Sequence, residues 1–350
     1  MTVSTKQSVT IRDVAADIGV SHQTVSRVIN NGPNVKPDMR KLVEDAIERL
    51  GYVPNLSARR MRGSRSFLIL AINDRQRTYD NWRAGRGNDW VDQMLFGGMT
   101  ECELQGYHMV FKPIDTQSDL AEKQLSKVIT ELRPDGVILT PPHSENQDLA
   151  DLLKADGIAF ARLGSGTKCD GINIAMDDCA AAVAATEHLI SLGHRKIGFV
   201  SGRAEYLASK ERLEGFRQAM SQGKLAIDKE WEQPGDFSFA SGESAADKLL
   251  SLDNRPTAII ASNDEMAFAV LHKANQHGIS VPDALSVVSF DDTPGVRFSV
   301  PPLTAIRQPI AEMAARAASE LMSADAKDLH GLEITLPFKF IIRGTTGSAA

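Results

Sequence analysis

Hydrophobic positions from residue 66 onward fall into short apolar runs separated by longer amphipathic segments. The short runs predict buried strands, and apolar positions three and four residues apart predict helices. The predicted strands are Phe67–Ile72, His108–Pro113, Gly136–Leu139, Ala159–Leu163, Ile172–Ala175, Lys196–Val200, Ala258–Ala261, Ser286–Phe290 and Ile334–Ile342. The predicted helices are Asp92–Leu104, Leu120–Leu132, Asp178–Leu192, Arg212–Gln222, Gly242–Leu250 and Asp264–His277. The alternation predicts parallel sheets with right-handed crossovers, and the number of strands predicts two lobes.

The first 55 residues show a different pattern, which predicts three short helices. Thr10 is placed to cap the first helix, with Asp13 completing a capping box. Gly19 is expected to end that helix, and Ser21 to cap the second. A third helix is predicted over Pro37–Leu50, with proline in its first turn. Two helices around a glycine-containing turn are typical of a helix-turn-helix.

The second helix of this head has one apolar and one polar face. Val25, Val28 and Ile29 point toward the first helix. The polar face carries Ser21, His22, Gln23, Ser26, Arg27 and Asn30. Arginine can form paired hydrogen bonds with guanine and glutamine with adenine, so this face is suited to reading bases. The pattern alone is equally consistent with an ordinary solvated helix face.

Charge is distributed unevenly along the chain. Residues 1–65 hold 11 basic and 6 acidic side chains, whereas the remaining residues hold 28 basic and 39 acidic ones. The formal net charge of the whole chain is -6, which by itself argues against a nucleic-acid partner. A basic head on an acidic body, however, indicates that the head meets a polyanion.

Several classes of protein are disfavoured by what the sequence lacks. No apolar run reaches the ~18–20 residues of a membrane span, and no secretory signal precedes the head, so we expect a cytoplasmic protein. Cys102, Cys169 and Cys179 are scattered without metal-ligand spacing. There is no glycine-rich phosphate loop and no nucleophile elbow, so no enzyme activity, metal or cofactor is expected. A solute-binding protein serving a transporter would suit the body but not the head.

The following runs of residues occur in order along the chain: Val9–Ala15 (VTIRDVA), Gly19–Ser21 (GVS), Thr24–Asn30 (TVSRVIN), Gly51–Asn55 (GYVPN), Leu192–Gly198 (LGHRKIG), Ala261–Asp264 (ASND) and Ser286–Asp292 (SVVSFDD). Together they resemble the lac repressor/galactose repressor (LacI/GalR) family of transcriptional regulators. The resemblance is densest over the first sixty residues and continues through the body. Lys36 departs from the family, which often has a capping serine there.

The resemblance implies roles for residues of the head. Those matching His22, Gln23 and Arg27 read bases in the major groove. Those matching Thr10, Ser21, Thr24, Ser26, Asn30 and Asn55 hold the DNA backbone. Residues 56–61 would form a hinge helix on the operator, with Ala58 and Met61 entering the minor groove and Arg59 near phosphates. Met61 stands where the family most often has leucine, and without DNA this stretch is equally a flexible basic linker.

The resemblance also implies the architecture. An all-α helix-turn-helix domain is expected over residues 1–55, a hinge or linker over 56–65, a two-lobed domain over 66–343 and a tail over 344–350. The body would have the α/β fold of the periplasmic sugar-binding proteins, with two Rossmann-like lobes that the chain joins through three crossings. Partners would be a pseudo-palindromic DNA operator, a small-molecule effector, most simply a sugar, and a second copy of the chain. No leucine heptad follows the last strand, so a homodimer is expected.

For the effector, the resemblance points to residues at the ends of strands, where such sheets bind ligands. Family members bind effectors through residues matching Arg212, Asn263, Asp291 and Gln308, and an aromatic residue matching Phe237 covers a sugar face. Arginine, aspartate and asparagine together suit a polyol. Asn73 and Arg162 are further candidates, and Arg162 would suit a carboxylated sugar as readily as the other residues suit a neutral glycoside. Taken singly, each of these residues is more simply an ordinary turn residue at a strand end, whereas the ordered set favours a binding site.

The segment from Asn73 to Asp89 departs most from the family, whose corresponding loop is shorter and less charged. We expect a loop on the rim of the cleft. Its aromatic residues Tyr79, Trp82 and the following Trp90 would stack on sugar faces, and Arg75, Arg77 and Arg83 would bind an acidic group. The alternatives are a mobile surface loop or a part of the dimer contact.

Overall fold

The computed structural model describes residues 9–29, 32–33, 35–52, 65–85, 87, 89–164, 170–323 and 331–349, apart from the side chain of Ser118. Contacts divide the chain into two compact units, Met1–Phe67 and Leu68–Ala350. The first unit contains the predicted head, and the second contains the predicted body.

In the residues described, the head contains three helices: α1 (Ile11–Asp17), α2 (His22–Ile29) and α3 (Pro37–Leu50). The predicted capping box is present, because Thr10 Oγ1 accepts from the Asp13 amide and the Asp13 carboxylate accepts from the Thr10 amide at 2.7 Å. These two hydrogen bonds satisfy backbone donors that the first turn leaves open, so α1 begins where the sequence predicts.

Valines from all three helices form the core of the head. Val14, Val25 and Val43 are completely buried. Gly19 and Gly51 have φ near +65°, a conformation that costs glycine little, and they end the first and third helices. Lys36 occupies the N-cap position of α3, and its side chain makes no capping hydrogen bond. The helix therefore lacks the cap that a serine often provides in the family.

The first lobe of the body is a six-stranded parallel sheet covered by helices. The strands are β1 (Leu68–Asp74), β2 (His108–Ile114), β3 (Gly136–Leu139), β4 (Ala159–Leu163), β5 (Ile172–Ala175) and β11 (Glu333–Thr335). Their order in the sheet is β11-β5-β4-β3-β1-β2. The helices are α4 (Arg75–Arg83), α5 (Asp89–Leu104), α6 (Ser118–Leu132), α7 (Gln147–Ala155) and α12 (Ile310–Met322).

The second lobe repeats this plan with the strands β6 (Ile197–Val200), β7 (Glu232–Gln233), β8 (Ala258–Ala261), β9 (Ser286–Asp291), β10 (Thr304–Arg307) and β12 (Lys339–Ile341). Their order is β12-β10-β9-β8-β6-β7, and among these strands β12 is antiparallel to its neighbour while the others pair in parallel. Its helices are α8 (Asp178–Ser191), α9 (Leu207–Gln222), α10 (Phe239–Leu250) and α11 (Asp264–Gln276). The expected pair of parallel α/β lobes is confirmed.

The chain passes between the lobes after β5, after β10 and after β11. The last of these crossings corrects the prediction of a single strand over Ile334–Ile342. That stretch is two strands, one in each sheet, with Leu336 to Phe338 between them. The sequence pattern does not reveal that the strand changes sheets, because both halves show a similar pattern of exposed and partly buried positions.

The segment after β1 is a second correction, because it contains a helix rather than a loop. Asp74 caps α4 by accepting from the Arg77 amide at 3.0 Å. Tyr79 and Trp82 have ring centroids 5.8 Å apart, and Trp82 packs edge-on to Phe111 of β2. The strongly polar composition of α4 concealed it, since hydrophobic periodicity is the main sequence signal of a helix.

The last described residues pack against the second lobe. His194 contacts Thr257 Oγ1 at 2.9 Å, Ser286 Oγ at 3.0 Å and the Gly347 carbonyl oxygen at 3.1 Å. Thr345 is completely buried. Across the ranges that the structure describes, no helix has the length and apolar character needed to cross a membrane.

Candidate DNA-binding helix and effector cavity

The outward side of α2 carries the residues that the family resemblance assigns to base reading. His22, Gln23 and Arg27 are exposed, while Val25 and Val28 on the opposite side are buried. This division leaves the three side chains free to enter a groove while the valines hold the helix in the head.

The N-terminus of α2 has the expected cap. Ser21 Oγ accepts from the Thr24 amide at 3.1 Å and lies 3.0 Å from Thr24 Oγ1. Together with Thr10 at the start of α1, these hydroxyls stand at helix N-termini, where backbone amides favour phosphate. Ser26 is half-buried. The remaining candidates, Asn30, Asn55, Ala58, Arg59 and Met61, lie outside the described residues.

A cavity of about 330 Å³ lies at the carboxyl ends of the strands, between the two lobes. Both sheets therefore present their strand ends to the same space, as expected for ligand sites of such folds. Eight of the thirteen residues that the sequence suggested for the effector site line this cavity: Asn73, Arg77, Trp90, Arg212, Phe237, Asn263, Asp291 and Gln308.

Two hydrogen bonds and a ring contact hold the side chain of Arg212 in place. The residue lies inside α9, whereas the sequence pattern predicted it at the start of the helix. Its Nε donates to Asp178 Oδ1 at 2.5 Å, and Nη1 donates to the Ser262 carbonyl oxygen at 2.6 Å. The guanidinium also stacks on Phe290, 4.4 Å from the ring centroid. Burial raises the pKa of Asp178 even though Arg212 acts in the opposite direction. The pair is thus a desolvated ion pair on the cavity wall.

Asn263 orders the aromatic side of the cavity. Its side-chain oxygen accepts from the Met266 amide at 3.0 Å and caps α11, while Nδ2 donates to the Phe237 carbonyl oxygen at 2.9 Å. Asn73 plays a comparable part in the first lobe, donating to Thr78 Oγ1 at 2.8 Å. In the structure, both amides therefore position neighbouring groups.

Asp291 ends β9 with a left-handed backbone, φ +104°. Non-glycine residues rarely adopt this region, and such strain is concentrated at functional sites. Its carboxylate accepts a hydrogen bond from Nε2 of Gln308. Gln308 follows β10, where the chain passes back to the first lobe. Burial raises the pKa of Asp291 to about 6, although the nearby charges of Arg212 and Arg77 oppose the shift. Burial and the neighbouring Asp291 carboxylate also raise the pKa of Asp264, which lines the same cavity, so the two carboxyl groups titrate as an interacting pair.

Asp74, Asp89 and Tyr206 also line the cavity, although the sequence pattern did not single them out. Tyr206 donates to Asp74 Oδ2 at 3.2 Å and so joins the second lobe to the first. Asp74 follows the same strand-end rule that identified Asn263, and a wider application of that rule would have found it. Tyr206 carries no comparable signal in its neighbouring sequence.

Arg162 does not line the cavity, in contrast to the expectation from the sequence. Its guanidinium donates to the carbonyl oxygens of Asp170 and Ser144 at 3.1 and 2.9 Å and to Gln147 Oε1 at 3.1 Å. Three partners satisfy a side chain that is only 1% exposed. The guanidinium turns toward the loops beside β4 because their carbonyl groups compensate its burial.

Tyr79 and Trp82 do not line the cavity, since their rings contact each other and Trp82 packs edge-on to Phe111 of β2. Arg75 pairs with Asp115 at 3.2 Å and approaches the Tyr79 ring. Arg77 of the same helix lines the cavity instead. Among the residues that the structure describes, no cluster of three metal-ligating side chains occurs.

We expect the raised pKa of Asp291 to make the body less stable as pH rises. Between about pH 4 and pH 6 the folded protein retains a proton that the unfolded chain has lost, so the free energy of unfolding falls across this window. Asp291→Asn should remove this contribution, flattening the profile measured by urea unfolding. Asp80→Asn, at an exposed carboxylate of α4, should follow the wild-type profile. Parallel profiles for all three proteins would contradict the expected pKa.

Comparisons with known proteins agree with this geometry. Residues 10–55 match the model of bacterial regulatory proteins of the lacI family, and residues 186–346 match a periplasmic binding protein-like domain. The transcriptional repressor PurR of Aliivibrio salmonicida (strain LFI1238) is 31% identical over 92% of this chain and 93% of its own length.

Two solved structures extend the similarity to the whole architecture. The lac repressor dimer bound to operator and the anti-inducer ONPF superimposes with a TM-score of 0.80 at 25% identity, covering 98% of this chain and all of the other. The transcriptional regulator CelR in complex with cellobiose gives a TM-score of 0.71 at 26% identity, covering 96% and 99%. The chain belongs to the lacI family of transcriptional regulators, which are not enzymes and which bind operator DNA as dimers under the control of small molecules.

Proposed function

We propose that this protein represses carbohydrate-utilisation genes and that a sugar bound in the cavity controls its hold on the operator. The observation that carries the proposal is the lining of the cavity. Donors from Arg212 and Gln308 stand beside an acceptor on Asp291, and the ring of Phe237 adds an apolar wall. Paired hydroxyls and a flat CH face are the features of a sugar that such a lining complements.

A related protein supports a sugar in particular, because the similar regulator CelR is seen in complex with cellobiose. A neutral sugar is favoured over a uronate, since the guanidinium of Arg162 is engaged elsewhere and that of Arg77, which lines the cavity, lies over the rings of Tyr206 and Phe237. The effector set that we propose therefore comprises Asn73, Trp90, Arg212, Phe237, Asn263, Asp291 and Gln308, without Arg162, Tyr79 and Trp82.

For the head, we propose that His22, Gln23 and Arg27 read bases while Thr10, Ser21, Thr24, Ser26 and Asn30 hold phosphates. Asn55, Ala58, Arg59 and Met61 would complete the contact from the linker. The division into residues 1–55, 56–65, 66–343 and 344–350 assigns these tasks to separate parts of the chain. The site of action would be the bacterial nucleoid in the cytoplasm.

Control by the effector requires that it bind two conformations of the body unequally. Closure of the lobes on a sugar would favour one arrangement of the two heads in the dimer. A coupling free energy of about 1–3 kcal/mol is typical and changes operator affinity about 5- to 150-fold.

A thermal-shift screen with neutral, phosphorylated and carboxylated sugars tests the proposed effector class. We expect neutral sugars to raise the midpoint of unfolding of the wild-type protein and to change its operator affinity in a fluorescence-anisotropy titration. Stabilisation by none of the sugars, or by phosphorylated sugars alone, would contradict the proposal.

Replacing Arg27 with alanine tests the proposed role of the head. The variant should lose about 1–3 kcal/mol of operator binding, because a base contact is removed, while binding to random DNA changes little. Arg12→Ala, a change outside the proposed base-reading set, serves as the matched loss of one positive charge. Equal discrimination between operator and random DNA by wild type and Arg27→Ala would count against base reading.

A further inference from the structure

The ring of Phe237 is fixed in the wall of the second lobe by three features. Its backbone has φ +69°, and its carbonyl oxygen accepts from Asn263 Nδ2 at 2.9 Å. One edge of the ring packs against Gly202 so closely that a Cβ at that glycine would lie under 3.0 Å from it. Since neither the backbone nor the ring edge has room to move, Phe237 presents a preformed flat surface to the cavity.

In the structure, that surface is already covered by a side chain from the other lobe. The guanidinium carbon of Arg77 lies 4.8 Å from the Phe237 ring centroid and 5.6 Å from that of Tyr206. The two rings are 5.5 Å apart in an edge-to-face arrangement. Guanidinium groups at such distances are attracted to the ring faces, more strongly where water is excluded.

The position of α4 makes this contact specific to Arg77. Asp74 caps the helix and also accepts from the Tyr206 hydroxyl at 3.2 Å, so the start of α4 is tied to the second lobe. Arg75, two positions earlier, points the opposite way to Asp115. Arg77 is therefore the arginine of this helix that reaches the aromatic wall.

No sugar ring fits between the guanidinium and Phe237 as they stand. Two successive van der Waals contacts of about 3.5–4 Å each would require a separation of roughly 7–8 Å, well beyond the observed 4.8 Å. A ligand can use the face of Phe237 only if Arg77 moves away from it.

We propose that Arg77 is a specificity-determining residue that competes with the effector for the face of Phe237. The inference rests on the proposed function, because it assumes that the effector stacks on that ring. An effector must then offer an apolar CH face that replaces the lost cation–π contact. Ligands that reach only the polar groups of the cavity leave Arg77 in place and gain nothing from Phe237.

The experiment compares Arg77→Ala with Arg75→Ala, which removes an arginine from the same helix outside the cavity. Binding of cellobiose, glucose and glucose 6-phosphate to the full-length protein is measured by isothermal titration calorimetry. We expect Arg77→Ala to bind cellobiose about fivefold more tightly than wild type, in line with the usual strength of a cation–π contact. Arg75→Ala should behave as wild type. Equal or weaker binding by Arg77→Ala overturns the proposal, weaker binding identifying Arg77 as a direct ligand.

A second measurement needs no ligand and tests the contact between Arg77 and Phe237 independently of the proposed sugar effector. Urea unfolding of wild type, Arg77→Ala, Phe237→Leu and the double variant gives the coupling between the two side chains. We expect the effect of Arg77→Ala on the unfolding equilibrium constant to shrink about fivefold in the Phe237→Leu background. Absence of coupling overturns the contact itself. If the coupling is present but no sugar binds any variant, the sugar effector is wrong and the competition proposal falls with it.

Discussion

Arg212→Ala is expected to bind operator DNA yet show no response to a sugar effector, and to lose about 3–5 kcal/mol of stability. The loss of stability follows from Asp178, which would remain buried without its cation. The loss of response follows from the position of Arg212 on the cavity wall, stacked on Phe290 and available to donate to a ligand. Urea unfolding and an operator titration with and without cellobiose measure the two effects.

A double variant separates these two causes. Combining Arg212→Ala with Asp178→Asn removes the uncompensated charge, so much of the lost stability should return while the effector response stays absent. Recovery of the effector response together with stability would mean that Arg212 acts only through folding. A normal response in the single variant would exclude Arg212 from the effector site.

Gly97→Ala is the second change for which we expect a large effect, a loss of at least about 3 kcal/mol in the free energy of unfolding. A Cβ at residue 97 of α5 would lie under 3.0 Å from the carbonyl oxygen and Cα of Ala311 in α12. These are backbone atoms, so two packed helices must separate, and overpacking of this kind is costly. Urea unfolding of the full-length protein gives the difference.

The adjacent glycine provides a matched control. A Cβ at Gly98 would meet the end of the Met109 side chain, which can rotate away. Gly98→Ala should therefore stay within about 1 kcal/mol of wild type, because it also gains helix propensity. Effector affinity should fall in Gly97→Ala alone, since α5 carries Trp90 and α12 carries Met313 at the cavity. Similar losses in the free energy of unfolding for both variants would contradict the close contact between α5 and α12 at Gly97.

The head shows how much local sequence can predict. The cap at Thr10, the glycine turn at Gly19 and the bounds of α3 all agree with the structure. Each depends on hydrogen bonds or backbone preferences within a few residues, which the sequence displays directly. The two sheets were predictable for a similar reason, because buried parallel strands appear as short apolar runs.

The cavity shows where such reasoning stops. Strand-end positions led to Asn263 and Asp291, but nothing in the sequence near Arg162 reveals that nearby loop carbonyl groups would turn it away. Nor does residue type distinguish Arg77 from Arg75, although one faces the cavity and the other the surface. The direction of a long side chain depends on partners that folding supplies.

The order of residues along the chain is enough to establish a DNA-binding head and a two-lobed α/β body, because caps, periodicity and ordered motifs are properties of neighbouring residues. The choice of side chains that form the cavity wall came instead from the folded arrangement of the two lobes. Residues 77 and 237 meet because separate lobes bring them together. Such a contact depends on the packing of whole elements, and no local pattern encodes it.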